Sequence, residues 1–251
     1  MRLRAAASLT AAVATVAVLA GTTTQVSAAE TVPTNAFASP TAYADFLKHS
    51  NEEGALETLK GFEALSPNKQ SQFLRYVQDP ALYKDFIVSS ADEQNSVTAL
   101  TADTNRTVSL RDGDVTFESN SVVSGLTASA SGVLPAGSHK VERSNTIKAL
   151  GVPVAKLTIW VEFQSNGRDI TKVIDADGAA QRWGPISIKK EKPKMSLGTQ
   201  QFCERGGRCV GGHTAIASII WNFDGGSAAY DKRQVLKVGR NGTGSTSLQN
   251  P

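Results

Sequence analysis

Apolar and polar side chains alternate without a break from Ala155 to Phe163, and an Asn166-Gly167 pair follows this run. Successive side chains of a β-strand point to opposite faces, so the alternation predicts a strand with one buried face. Asn-Gly is the strongest short hairpin signal, because both central residues of the favoured turn adopt positive φ. A β-hairpin that folds straight back after Gly167 is therefore the clearest structural feature of the sequence.

A loop of only Asn166 and Gly167 would fix which residues face each other across this hairpin. The resulting pairs are Trp160 with Val173, Phe163 with Ile170, Ile159 with Ile174, and Val161 with Lys172. The first pair puts a tryptophan on the otherwise polar outer face of the strand. The last pair points a lysine into the core, which is the one poor fit in this register.

Further strands are predicted on both sides of the hairpin. An Asp112-Gly113 turn pairs Leu110 with Val115 and Val108 with Phe117. Alternation returns between residues 215 and 223, where it places Trp221 in the core. About seven to nine short strands with turns at this spacing predict an antiparallel β-sandwich or barrel-like domain over residues 101–251.

Helix-start signals precede the strands. Three pairs place an N-cap residue directly before a proline: Ser39-Pro40, Ser66-Pro67 and Asp79-Pro80. Apolar residues at helical spacing follow each pair and also follow Asn51. These signals predict four short helices in a segment over residues 30–100, with a polar linker at residues 89–105. The predicted fold class is therefore α+β, with a short N-terminal helical segment before the β domain.

Residues 1–29 have the three parts of a secretory signal peptide. A basic start is followed by an apolar run to Ala20 and by a small-residue cleavage site at Val26-Ser27-Ala28. The run is shorter than the roughly 20 residues that span a membrane, and no later stretch is long enough. The sequence thus predicts a secreted, extracellular protein with no membrane span after cleavage.

Cys203 and Cys209 are the only cysteines of the chain. In an exported protein, this close pair predicts one local disulfide, which leaves neither sulfur for catalysis or metal binding. Closing so short a loop stabilises the fold by roughly 2 kcal/mol. The same loop offers an alternative function, because a rigid loop that presents Arg205 or Arg208 would suit an inhibitor of trypsin-like proteases.

The sequence contains no nucleophile elbow, zinc-protease motif, P-loop or dinucleotide fingerprint. We therefore predict no catalytic residue, no metal and no cofactor, although paired carboxylates of the glycosidase type need not be near in sequence. His213, after two glycines, is the most suggestive histidine, since a cleft joining it to a carboxylate would support a hydrolase. Asp175 and Asp177 before Gly178 lack the other ligands of a calcium loop, so they predict a turn that ends a strand.

Trp160 is the strongest binding candidate. A tryptophan on a polar strand face, with Val173 beside it and Lys156 and Glu162 flanking it, would form a platform for sugar rings or a peptide. Trp183 is expected at a strand entry and exposed. The alternative for this face is that the N-terminal helices, which need an apolar surface of their own, cover it.

A basic run contains Lys189, Lys190, Lys192 and Lys194. It would suit an anionic wall polymer, and a solvated loop is the simpler explanation. The chain has 26 basic and 23 acidic side chains, and signal cleavage removes two of the basic ones. Such a nearly neutral charge, with no aromatic residues among the basic ones, argues against a nucleic-acid partner.

Two strands joined by a turn at Gly151-Val152 are predicted over Ile147–Val161, and the second strand carries Lys156 and Trp160. This stretch resembles a pattern in secreted actinobacterial proteins of uncharacterised function, over about residues 139–223. The resemblance implies export and a β domain, and it carries no catalytic residues.

Three functions remain open on these grounds. The first is a non-enzymatic binding or interaction protein at the cell surface or wall, with a cell-wall glycan, an anionic wall polymer or an extracellular protein as its partner. The second is a secreted protease inhibitor or antibacterial toxin. The third is an extracellular hydrolase, which the missing motifs disfavour.

Overall fold

The computed structural model describes residues 35–91, 98–99, 105–124, 133–203, 209–224 and 229–251. The predicted signal peptide lies outside these residues. Four helices open the described chain: α1 (Pro40–His49), α2 (Ala55–Glu63), α3 (Pro67–Val77) and α4 (Pro80–Ala91). Their prolines stand at the first helical position, and the Ser39 hydroxyl accepts a hydrogen bond from the Ala42 amide at 3.2 Å. The predicted helices are thus confirmed.

Eleven strands form two antiparallel sheets in the described part of the chain. The first sheet has the order β2-β3-β4-β5-β6: β2 (Asn105–Leu110), β3 (Val115–Ser124), β4 (Ala136–Ala149), β5 (Val152–Asn166) and β6 (Ile170–Arg182). The second has the order β1-β11-β10-β9, with β7 and β8 both paired to β9: β1 (Thr98–Ala99), β7 (Ser187–Lys190), β8 (Lys194–Cys203), β9 (Cys209–Asp224), β10 (Ala229–Gly239) and β11 (Thr243–Gln249). The α+β prediction is confirmed, and the sheets form a sandwich rather than a closed barrel.

The inner faces of the two sheets bury the alternating apolar residues, including Ile159 and Trp221. A chain of polar side chains also crosses the core. The Asn145 amide donates to the Ser119 hydroxyl at 2.7 Å, the Gln234 amide donates to the Asn145 carbonyl at 3.2 Å, and the Trp221 indole donates to Gln234 at 2.9 Å. Buried polar groups are costly unless they are paired, so this chain fixes how the sheets align.

The register predicted for the central hairpin is wrong. The Asn166 side-chain oxygen accepts from the amides of Arg168 and Asp169, at 2.9 and 2.8 Å, so the loop has three residues, Gly167 to Asp169. Two register shifts then follow, and the observed pairs are Trp160 with Asp177, Glu162 with Asp175, Phe163 with Val173, Gln164 with Lys172 and Ser165 with Ile170. The shifts remove the poor fit, because Lys172 is exposed rather than inward.

Other local predictions have mixed outcomes. The Asp112-Gly113 hairpin has the predicted pairs, and Trp221 is fully buried. Ile174, expected in the core, is 37% exposed because it lies unpaired at a register shift. The turn expected after Asp175 is absent, since β6 continues to Arg182. The predicted linker contains β1, which pairs with β11.

The helices pack on the sandwich through aromatic side chains and share its hydrophobic core. The Tyr43 hydroxyl donates to the Trp183 carbonyl at 2.8 Å, and the Phe86 ring lies 5.5 Å from that of Phe117. None of the helices in the described ranges has the length and apolar character needed to cross a membrane.

A substitution at Gly178 tests how closely β6 packs against β5 of its own sheet and against β9 of the other sheet. A Cβ there would collide with the Thr158 carbonyl and would lie 2.6 Å from Ile219 Cδ1. Because moving a backbone carbonyl aside costs free energy, we expect Gly178→Ala to lower the free energy of unfolding by about 2–3 kcal/mol in urea denaturation. Gly211→Ala is the matched control, since its Cβ would meet nothing within 4 Å. Equal stability of the two variants would contradict this packing.

Candidate functional site

The outer face of β5 carries the predicted binding residues Lys156, Trp160 and Glu162, which alternate with the buried inner positions. All three are half-buried. The Lys140 ammonium lies 4.3 Å from the centre of the Trp160 ring, a cation–π contact, and Glu142 and Asp177 face Trp160 from the neighbouring strands. The ring is flanked by charges, as the sequence predicted, and also carries an ammonium on its face. Its role in binding stays a prediction.

Two of the predicted binding residues lie elsewhere. Val173 faces Phe163 beyond a register shift and does not share a face with Trp160. Trp183, expected to be exposed, is only 4% exposed. Its ring packs against Gly54, where a Cβ would lie 2.8 Å from the indole. The sequence pattern did not predict this burial, because the burial depends on the helices, which close over the end of β6.

A groove of about 520 Å³ lies between the helices and the outer face of the five-stranded sheet. One wall is formed by Ser50 and residues 52–57, from the α1–α2 connection and the start of α2. The other wall contains outward side chains of β3 to β6: Glu118, Asn120, Thr146, Lys148, Lys156 and Gln181. Trp183 lines the groove where the two walls meet the core. The groove has the size of a typical small-ligand site.

Several charges of the groove are already paired. Lys148 contacts Glu118 at 2.7 Å, Arg182 contacts Glu52 at 3.6 Å, and the Gln181 amide donates to Glu53 at 2.7 Å. The contacts of Glu52 and Glu53 hold the sheet to the α1–α2 connection, whereas the Lys148–Glu118 pair joins β4 to β3 within the sheet.

Other polar groups of the groove remain available. Within the described ranges, the side chains of Glu57, Asn120 and Lys156 make no hydrogen bond or ion pair. The buried indole N–H of Trp183 also has no partner. An anionic, an amide and a cationic group are therefore free to contact a ligand, whereas the indole N–H is an unpaired donor buried beneath the groove, which a ligand oxygen reaches only if the lining shifts.

The lysine run divides between two surfaces. Lys190 donates to Asp177 Oδ1 at 2.5 Å and to the Gly178 carbonyl at 2.8 Å, so it joins β7 to β6 beside Trp160. Lys189, Lys192 and Lys194 are exposed. Lys189 and Lys194 belong to strands of the six-stranded sheet, so the run and the groove do not form one site.

Cys203 and Cys209 face each other in the β8–β9 register, which is compatible with a cross-strand disulfide. That bond stays a prediction. Arg205 and Arg208, the residues proposed for an inhibitor loop, lie outside the described residues.

His213 contacts a carboxylate that the sequence did not identify. Its ring Nδ1 lies 2.6 Å from Asp169 Oδ2, and its amide donates to Asp169 Oδ1 at 2.8 Å. This contact joins the hairpin loop of one sheet to β9 of the other, across 44 positions of sequence. Within the described chain the ring has no other partner, so no nucleophile is hydrogen-bonded to it, and no cluster of three metal-ligating side chains is found there.

The comparisons with known proteins provide no relative. No protein-family model, curated protein or solved structure matches this chain. The resemblance to secreted actinobacterial proteins therefore stays a prediction.

The Asp169–His213 contact predicts a pH-dependent stability. Burial by itself raises the pKa of Asp169, but the hydrogen bonds from the His213 amide and ring outweigh it and lower that pKa. A carboxyl group with a lowered pKa stabilises the fold above its unfolded pKa of about 3.9, and this stabilisation is lost as pH falls through the folded value.

We expect Asp169→Ala to lower the free energy of unfolding by about 1 kcal/mol at pH 7, and the difference from the unsubstituted protein to shrink below about pH 4. Denaturant titrations at several pH values measure this. Asp85→Ala is the control, because within the described chain the Asp85 side chain has no hydrogen-bond or ion-pair partner. A difference that persists unchanged at low pH would contradict the proposed role of the carboxylate.

Proposed function

We propose that this chain is a non-enzymatic binding protein that acts outside the cell, at its surface or in its wall. Its binding site is the groove between the α1–α2 connection and the five-stranded sheet, and its ligand is a cell-wall glycan. The observation that carries the proposal is the buried Trp183 indole N–H, which lacks a hydrogen-bond partner in a residue that lines this groove.

The unpaired indole supports binding because a buried donor without an acceptor costs roughly 1–3 kcal/mol. Most buried donors in folded proteins are paired, so an unpaired one beside a groove is a place where a ligand oxygen would be stabilised. Sugar hydroxyl and amide oxygens are acceptors of this kind.

The lining of the groove supports a polar ligand that carries charges of both signs. Glu57 lies on the helical wall, Lys156 lies on the sheet wall, and Asn120 adds an amide that can donate and accept. A wall glycan with peptide side chains offers hydroxyl, amide, amine and carboxylate groups. The exposed Leu56, at 69% exposure, supplies an apolar contact at the edge of the groove.

Binding is favoured over catalysis because the groove and the His213–Asp169 pair are far apart. The pair is at the loop after Asn166, whereas the groove reaches β5 at Lys156. Ten residues of extended strand separate these positions, which is about 33 Å. The histidine therefore cannot act on a ligand held in the groove.

The proposal predicts the effect of removing the two free polar side chains of the sheet wall. We expect the double variant Asn120→Ala/Lys156→Ala to bind soluble peptidoglycan fragments about thirtyfold more weakly, because two hydrogen bonds are lost at about 1 kcal/mol each. Isothermal titration calorimetry with purified fragments measures this.

The control is Gln164→Ala/Lys172→Ala, which removes an amide and a lysine from a cross-strand pair outside the groove. It should bind like the unsubstituted protein. Equal losses in both variants, or no binding by the unsubstituted protein, would overturn the proposal. Cleavage of the fragments that disappears in His213→Ala would instead favour the hydrolase.

A further inference from the structure

Four basic side chains share the outer face of the six-stranded sheet. Each faces a residue of β9 that alternates with the buried positions Ala215 to Phe223. The pairs are Lys237 with Ile216, Lys194 with Ser218, Arg233 with Ile220, and Lys189 with Asn222. We call these four side chains the cationic face.

The charges of the cationic face are available to a partner. The three lysines are exposed, and Arg233 is half-buried. Within the described ranges, none of the four forms an ion pair or a side-chain hydrogen bond. The nearby acidic groups, Asp224, Asp231 and Glu191, gather at one end, where the Asn222 amide donates to Asp231 and Glu191. The part around Lys194, Arg233 and Lys237 is therefore positive.

From this arrangement we propose that the cationic face binds a linear polyol phosphate, a polymer with one phosphodiester charge in each repeat. The proposal concerns a second site and does not depend on the groove, which lies on the other sheet. The proposal names the chemical class of the anionic partner. The surface that would bind this partner is larger than the lysine run alone.

The spacing of the cations favours a polymer over a single anion. Arg233 and Lys237 are four residues apart on β10, which is about 14 Å. Lys194 is on β8, which lies on the other side of β9 and about 10 Å from β10. One phosphate ion can reach only one or two of these side chains. A chain with repeated charges can contact all of them.

The residues between the cations favour phosphodiesters joined by a polyol. Hydroxyl groups occupy outward positions at Ser196, Ser218, Ser245 and Ser247, and they can donate to phosphoryl oxygens. Lysine and arginine both bind phosphate strongly. Ile216, which is half-buried and faces Lys237, provides an apolar contact for the carbon chain of a polyol.

Poly(glycerol phosphate) labelled with a fluorophore is the probe, and fluorescence anisotropy at low and high salt is the measurement. We expect binding that weakens as salt rises, because exposed charges are screened within about 10 Å at 0.1 M salt. The triple variant Lys194→Gln/Arg233→Gln/Lys237→Gln should bind at least about tenfold more weakly, since each lost contact contributes several-fold.

The control variant Lys60→Gln/Lys69→Gln/Lys84→Gln removes the same net charge from exposed helical positions. It should bind within about twofold of the unsubstituted protein, because those lysines lie off the cationic face. Matching thermal midpoints of both variants show that each is folded. The proposal is overturned if both triple variants lose affinity equally. It is also overturned if polyglutamate or phosphatidylglycerol vesicles bind as tightly as poly(glycerol phosphate), or if monomeric glycerol phosphate displaces the polymer equally well at the same phosphate concentration.

Discussion

The contact between Trp183 and the N-terminal helices creates the groove on which the proposed function depends. The Tyr43 hydroxyl donates to the Trp183 carbonyl, and the indole lies against Gly54, whose φ of +83° suits glycine. A side chain at position 54 would push the α1–α2 connection away from the sheet. The same burial leaves the indole N–H without a partner. One packing contact therefore both builds the wall of the groove and leaves a donor beside it.

The two sheets present different chemistry to solvent because the core holds them back to back. The Gln234 to Asn145 hydrogen bond joins β10 to β4 inside the core, and Gly178 lets β6 approach Ile219 and Trp221 closely. The outer face of the five-stranded sheet mixes charges of both signs, many of them paired. The outer face of the six-stranded sheet carries cations without partners in the described chain. The two proposed binding surfaces, one of mixed charge and one cationic, thus lie on separate sheets.

Patterns that depend on near neighbours were predictable from the sequence. The Ser-Pro and Asp-Pro pairs begin helices, the Asp112-Gly113 turn sets its hairpin, and alternation identifies the buried Trp221.

Features that depend on distant or side-chain contacts were not predictable. The Asn166 side-chain oxygen accepts hydrogen bonds from two backbone amides, which lengthens the hairpin loop. The longer loop shifts the strand register and changes which residue faces Trp160. The burial of Trp183 and the pairing of His213 with Asp169 arise from segments far apart in sequence. The groove needs the helices and four strands together, so no single stretch of sequence indicates it.

The most direct test of the account is the NMR signal of the Trp183 indole N–H during titration with soluble peptidoglycan fragments. We predict that this signal and the side-chain amide signal of Asn120 shift as the ligand binds. The Trp221 indole, which donates to Gln234 at 2.9 Å in the core, should stay unchanged and serves as the internal reference. Binding that leaves the Trp183 signal in place would contradict the assignment of the groove as the ligand site.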